Sequence, residues 1–401
     1  MRFAHTGDLH IGKRLHERSL LEDQREILQQ ILGILKDEAV DALIIAGDIY
    51  DKPTPGTEAV RLFDDFVYAV EQLGIRLIAI SGNHDSMERI SFGSRIMRDK
   101  GVYFQENFDG CAQRLSLTDD YGEINVYMVP FIKPAYVNAE SYEDAFAGIL
   151  ARTDIDYGKR NILVAHQFVT GTHVGEKTPV SGDAEAMAEL AGKLPVRAES
   201  ESVHVGGLDN ISYELIKNFD YVALGHLHRR QSIGEAYIRY AGSPLKYSFS
   251  EGNDTKSIEI VDIQEKGTCV VRQHDLEMPR ELRTIRGTLE HLTSEEVVGA
   301  ADAEGVSRED YICAVITDKQ RVVDAAARLQ RWYPNLLRIE YQLDKGEYAV
   351  RRMEQIQGRS PVQLFEEYYE MMNGKPIGES QRKVIEDILG GGANEADQAG
   401  D

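Results

Sequence analysis

The sequence predicts an α/β protein built on parallel strands that are buried on both faces. Three observations lead there. Short apolar runs recur without polar alternation, as in strands covered on both sides. Stretches with apolar residues at helical spacing separate them. Each run ends in Asp, Asn or His, and open parallel sheets bind ligands beyond the carboxyl ends of their strands.

The elements follow in order. Arg2-Phe3-Ala4 leads into HTGDLH, which sets Asp8 and His10 two apart. Ile27, Leu28, Ile31, Leu32 and Leu35 keep the spacing of one helix face. ALIIAGDIYD is an apolar run followed by Gly47 and Asp48. Val60, Phe63, Phe66, Val67 and Val70 make a second helix, stopped by Gly74. RLIAISGNHD runs into Gly82, Asn83, His84 and Asp85, and NILVAHQF ends at His166. YVALGHLHRR reaches Gly225 and presents His226 and His228. Residues two apart on a strand share a side, so that pair can aim two imidazoles at one point. Alone it reads equally as two polar residues at a loop mouth. Arg229 and Arg230 read either as flanking charges for a phosphate or as solvated arginines.

The donor count changes the weight of the pair. Asp8, His10, Asp48, Asn83, His166, His226 and His228 offer oxygen and nitrogen and no thiolate. One hexacoordinate ion would leave donors to spare, whereas two ions sharing a carboxylate would use them all. Mixed imidazole, carboxylate and amide ligation suits Mn²⁺, Fe²⁺ or Zn²⁺ better than Ca²⁺. A water activated between two such ions attacks phosphorus in line without a Ser or Cys nucleophile. No G-x-S-x-G or P-loop offers another route.

Bulk properties bound the class. The 401 residues exceed one typical domain, with 42% hydrophobic and 28% charged residues. Cys111, Cys269 and Cys313 are scattered and read as reduced thiols of a cytoplasmic protein. MRFAHTGDLH lacks the plan of a signal peptide, and no apolar stretch reaches membrane-span length, so no membrane partner is expected. The net charge of −22 runs against the basic footprint of a nucleic-acid binder, unless metal ions and a basic partner supply the positive field.

The motifs D-x-H, G-D-x-x-D, G-N-H-D, a strand-end His and G-H-x-H occur in order. Together they resemble those of the calcineurin-like metallophosphoesterases. The words HTGDLHIGK, AGDIYDKPTP, GNHDS, VGGLDNI, DYVALGHLHR and AGSPLKYSFSE resemble the nuclease branch active in double-strand-break repair. The resemblance implies a four-layer sandwich, two packed mixed sheets flanked by helices, over 1–277. It implies a small α+β capping domain over 278–348, C-terminal helices over 349–390 and a disordered acidic tail over 391–401. It assigns Asp8, His10 and His228 to one metal, Asn83, His166 and His226 to the other, and Asp48 to the bridge. His84 would face the scissile phosphate as acid or transition-state stabiliser, and the Asp51 carboxylate would orient it. Two divalent ions, Mn²⁺ foremost, are the implied cofactors. DNA is the implied substrate, and a homodimer within a heterotetramer with an SMC/ABC ATPase is the implied assembly, associated with the nucleoid. The activity expected is double-strand exonuclease and single-strand or hairpin endonuclease, in repair, recombination and replication. A phosphomonoesterase or cyclic-nucleotide phosphodiesterase is the alternative on the same site, and a scaffold on a dead fold a third. His5, His16 and Asp85 read as supporting or structural.

The remaining chain is less specific. The segment 169–207 reads as a mobile surface insertion or as a loop touching substrate or partner. KSIEIVDI and TCVVRQHDL read as strands completing a second sheet. ELRTIRG, DYICAVITD and LLRIEYQLD read as strands and VVDAAARLQRWY as a helix, with Trp332 more suited to core than to base stacking. SPVQLFEEYYEMMNG combines an N-cap at Ser360, Pro361 at N1 and Gln363 in a capping box, with an apolar stripe from Leu364 to Met372. A second helix carries Val384, Ile385, Ile388 and Leu389. By sequence these two helices either fold back or dock a partner; the resemblance implies docking on the ATPase.

Overall fold

The computed structural model describes residues 1–106, 108–171, 195, 198, 210–303, 306–318 and 320–342, with isolated positions between 362 and 385. The chain divides into two compact units, Met1–Val315 with Asp324–Glu340, and Ile316–Val323 with Tyr341–Asp401.

In the first unit, two six-stranded sheets pack face to face. The first runs in the order Cys269–Asp275, Ser257–Ile263, Arg2–Thr6, Ala42–Ala46, Arg76–Ile80, Val102–Phe104. Its last four strands are parallel. The second runs Gln231–Ile233, Glu235–Tyr240, Tyr221–Gly225, Arg160–His166, Gly122–Val129, Gln113–Asp119, with four parallel strands in its middle.

The absence of alternation in the apolar runs has a direct cause: both faces of each strand are covered. Phe3, Ile44, Ile78 and Ile80 meet Val126, Met128, Ile162, Val164 and Ala223 between the sheets. Ala4, Leu43, Ile45 and Leu77 face outward onto the helices Leu21–Asp37 and Thr57–Gln72, against Ile27, Ile31, Phe63 and Phe66. Leu163, Ala165, Val222 and Leu224 face Phe146 and Ile149 of the helix Tyr142–Arg152. Helix, sheet, sheet and helix thus form the four expected layers. Val60 departs from the expected stripe and is 43% exposed. The buried stripe centres on Ala59, Leu62, Phe66 and Val70, and Val60 lies about 100° around the helix from Ala59.

One strand expectation is corrected. KSIEIVDI and TCVVRQHDL do not complete the second sheet. They extend the first one: Ser257–Ile263 pairs antiparallel with Arg2–Thr6, and Cys269–Asp275 pairs antiparallel with Ser257–Ile263 at the edge. The terminal amine donates to the Ile263 carbonyl at 2.8 Å and Arg2 Nε to Asp262 at 2.7 Å, which locks that register.

The sheets come close together at Gly225. A Cβ there would lie 1.8 Å from the Ala46 carbonyl oxygen of the facing sheet. Gly225→Ala is expected to lower the unfolding free energy by about 3 kcal/mol, at the upper end of overpacking costs. The urea midpoint measures it, and an unchanged midpoint would mean that the sheets separate freely at this point.

The first unit also contains most of a three-stranded sheet, Leu282–Gly287, Tyr311–Ile316 and Leu336–Tyr341, with helices Leu289–Leu292, Glu295–Ala303 and Ala325–Gln330. The Tyr311 hydroxyl donates to Asp23 at 2.7 Å, joining it to the helix Leu21–Asp37. Trp332 is half-buried, and Tyr333 takes the buried position beside it. In the second unit, Gln342 N donates to the Ile316 carbonyl at 2.9 Å and Arg382 pairs with Glu366 at 3.0 Å. Val362, Gln363, Phe365, Glu366 and Tyr369 are helical, as are Gln381, Arg382 and Ile385. Ser360, Pro361, Leu364, Met372, Val384, Ile388, Leu389, the 391–401 tail and most of the 169–207 segment lie outside the described residues. No helix among the described residues is long and apolar enough to cross a membrane.

Candidate metal centre

The donor residues sit at the ends of five strands or on the loops that follow them, three strands from the first sheet and two from the second. The site therefore straddles the junction of the sheets. Asp8, His10, Asp48 and His226 all adopt positive φ, at 52°, 43°, 48° and 105°. Non-glycine residues seldom do so, and such strain gathers at functional sites. The loops pack tightly as well. A Cβ on Gly82 would lie 2.1 Å from Asp48 Oδ1.

Asp48 stands in the middle. Its Oδ2 lies 3.6 Å from His10 Nε2 and 3.4 Å from His166 Nε2. On the first side, His10 Nε2 is 3.1 Å from His228 Nε2. Asp8, His10 and His228 bring one donor atom each within 4.8 Å of one another, as do Asp8, Asp48 and His166. On the other side, Asn83 Oδ1 is 3.0 Å from His166 Nε2 and 3.1 Å from His226 Nδ1. Ligands about 2.1 Å from an ion and at right angles lie about 3 Å apart, so this spacing fits metal coordination.

Charge and burial fit the same chemistry. Asp8 is 0% and Asp48 2% exposed, and buried carboxylates demand a positive partner. Burial opposes charge on His166, yet the Asp48 carboxylate, with Asp8 behind it, lifts its pKa to about 9. Burial holds His10 well below the ordinary imidazole value and lowers His228 too, which keeps both neutral as metal binding requires. His10 Nδ1 is buried with no hydrogen-bond partner.

His84 differs from the buried histidines. It is half-exposed and packs edge-to-face on His10 at 4.7 Å. Its amide donates to Asp48 Oδ1 at 2.8 Å and its Nδ1 lies 3.0 Å from the Asp51 main-chain oxygen. That corrects the expected role of Asp51: the orienting atom is its carbonyl, not its carboxylate. The carboxylate is taken by Lys13 at 2.9 Å. His10, Asp48 and His84 also form a possible ligand triplet.

Gln24 and Tyr247 support the site although the sequence did not single them out, and Asp85 takes the supporting place expected of it. Gln24 donates to the His10 carbonyl at 2.7 Å and accepts from Gly12 N at 2.9 Å, fixing the Asp8–His10 loop. A polar residue in line with Ile27, Ile31 and Leu35 on a buried face was the available signal. Tyr247 donates to the Leu9 carbonyl and presents its ring edge-to-face to His10 and His228. Asp85 accepts from Gly82 N, Ile49 N and Tyr50 N, tying two ligand loops together. Its burial and Asp48 raise its pKa to about 6. His5 pairs with the Tyr221 hydroxyl between the sheets, and His16 lies against Phe249. Arg229 is held by Asp254 and the Ser250 carbonyl, and Arg230 by Ser257 and Asp275.

Glu251, fully buried, lies 3.8 Å from His228 Nδ1 and forms an ion pair with Lys256 at 2.6 Å. Lys256 also donates to the His228 carbonyl and Ser243. A carboxylate on the far nitrogen of a ligating histidine fixes its ring and raises its basicity. Glu251→Gln is expected to weaken Mn²⁺ binding by about 10–100-fold. Calorimetric titration of the metal-free protein reads this directly, and unchanged affinity would reduce Glu251 to a packing role.

The fold and this donor set are those of a phosphoesterase with two metals. A family model described as calcineurin-like phosphoesterase matches residues 1–230, and the chain belongs to that family of phosphoester-hydrolysing enzymes. A second model, described as Type 5 capsule protein repressor C-terminal domain, matches residues 278–373. Along nearly its whole length the chain is similar to proteins named as the SbcD component of the nuclease SbcCD. That of Staphylococcus epidermidis is 28% identical over 399 residues, covering 97% of this chain and 98% of the relative. That of Staphylococcus saprophyticus is 29% identical over 404 residues, with the same coverage.

Proposed function

We propose that this chain is the Mn²⁺-dependent nuclease component of an SbcCD-like complex, cutting DNA ends as an exonuclease and single strands or hairpins as an endonuclease. The observation that carries the reading is the position of Asp48 Oδ2 between His10 and His166, with a set of donors on either side. Asp8, His10 and His228 would hold one ion, Asn83, His166 and His226 the other, and Asp48 would be shared. Ions bound there supply Lewis acidity and an activated water to phosphoester hydrolysis.

The chain's own residues do the rest. His84 Nδ1 donates to the Asp51 carbonyl, so Nε2 donates only when the ring carries both protons. As a cation it gives a proton to the leaving oxygen and offsets charge on the phosphate. The Gln24, Tyr247 and Asp85 contacts hold the three ligand loops in place. The capping domain over 278–348 and the C-terminal helices over 349–390 belong to the same reading. The helices would dock an SbcC-like SMC/ABC ATPase, and a homodimer within a heterotetramer would grip DNA in the cytoplasm at the nucleoid. That assembly reconciles the net charge of −22 with a polyanionic substrate.

The same charge favours a phosphomonoesterase or cyclic-nucleotide phosphodiesterase as the second reading. Incubation with a linear duplex, a DNA hairpin and p-nitrophenyl phosphate in Mn²⁺ separates the two. DNA cleavage supports the nuclease. Turnover of the small ester without DNA cleavage, even with an SbcC-like partner present, supports the phosphatase.

A further inference from the structure

Beside Asn83 a cleft of about 460 Å³ opens to solvent. This is the size range of pockets that take one small ligand. Phe131, 9% exposed, lines the cleft, and its ring lies near-parallel to His226, at 6.3 Å and 18°. Phe108, Tyr136, Lys133, Ser86 and Glu88 also line it. Tyr136 is 59% exposed. Lys133 is exposed and has no carboxylate partner among the described residues. The cleft is therefore continuous with the donor group that Asn83 makes with His166 and His226. Aromatic faces and a free ammonium stand at one edge of a site for phosphate chemistry.

Resting on the nuclease reading above, we propose that this cleft is a nucleobase subsite. It would receive the base of the deoxynucleotide next to the scissile phosphate. Aromatic side chains stack on any base, because every base presents a π-face, and this suits a nuclease with little sequence preference. Lys133 takes the neighbouring phosphate. Glu88, whose carboxylate accepts from Ser86 Oγ at 2.8 Å, repels a phosphate and accepts from a base edge. The exposed ring of Tyr136 is the residue that a base-free phosphate cannot use.

The test is calorimetric titration of the full-length, Mn²⁺-loaded protein with deoxyadenosine monophosphate and, separately, with deoxyribose phosphate, which lacks the base. DNA cleavage is assayed on the same preparation, with an SbcC-like partner present. The nucleotide is expected to bind about tenfold more tightly, the worth of one base–aromatic stack. Tyr136→Ala should erase that difference and Tyr136→Phe should keep it, both with wild-type melting temperatures. Equal binding of the two probes, or a preference that survives Tyr136→Ala, while DNA is still cut, overturns the subsite and leaves the nuclease standing. Absence of DNA cleavage overturns both.

Discussion

Replacing His84 by glutamine is expected to lower DNA turnover by about 10²–10⁴-fold, the usual worth of a general acid, and to leave the bound metal in place. His84 is only half-buried, whereas His10, His166, His226 and His228 are buried around the carboxylates. Its Nδ1 is committed to the Asp51 carbonyl and its amide to Asp48, so Nε2 is the nitrogen left for the substrate. Glutamine keeps a donor of similar reach but cannot transfer a proton. The measurement pairs a cleavage assay with metal analysis of the purified variant. Retained metal with lost activity supports an acid. Loss of metal together with activity would place His84 among the ligands, in the triplet with His10 and Asp48 that its position allows.

Replacing Asp48 by asparagine is expected to have a still larger effect, removing both the proposed shared ligand and one partner of a buried pair. With Mn²⁺ at a hundredfold its Kd, each site should add about 2.7 kcal/mol to the unfolding free energy of the wild type. Asp48→Asn should abolish most of that gain. In EDTA the variant should also be weaker, because His166 loses the carboxylate that holds its proton and reverts to the neutral ring that burial favours. Its amide also weakens the hydrogen bond to the His84 main chain, so the two ligand loops loosen together. Urea unfolding with Mn²⁺ and with EDTA measures both effects. A variant that keeps the full Mn²⁺ gain would show that Asp48 is not the shared ligand.

Much of the site was legible in the chain itself because its donors are local to strand ends. An apolar run followed by a polar donor is visible residue by residue at Asp8, Asp48, Asn83, His166 and His226. The covering of the strands on both faces was legible too, since such strands show no alternation, whereas the four layers came from the family resemblance. The supporting residues were harder to see. Gln24 reaches the His10 carbonyl from a helix, and Glu251 and Lys256 reach His228 from a loop beyond the second sheet. Nothing in their local sequence names the partner. The orienting atom of Asp51 was misjudged because a sequence shows a carboxylate but not which way it turns. Lys13 turns it, through an ion pair between two loops.

By itself the sequence determined the α/β class, the five strand ends and the oxygen and nitrogen donor set. These follow from composition and short-range period, which backbone geometry converts directly into strands and helices. Only the tertiary structure decided that three donor-bearing strands lie in one sheet and two in the other. It alone assigned KSIEIVDI and TCVVRQHDL to the edge beside Arg2–Thr6. It alone put Asp48 Oδ2 within 3.6 Å of His10 and 3.4 Å of His166. Those facts depend on pairings between residues separated by tens to hundreds of positions. Such pairings are set by how two whole sheets pack, and no local pattern encodes them.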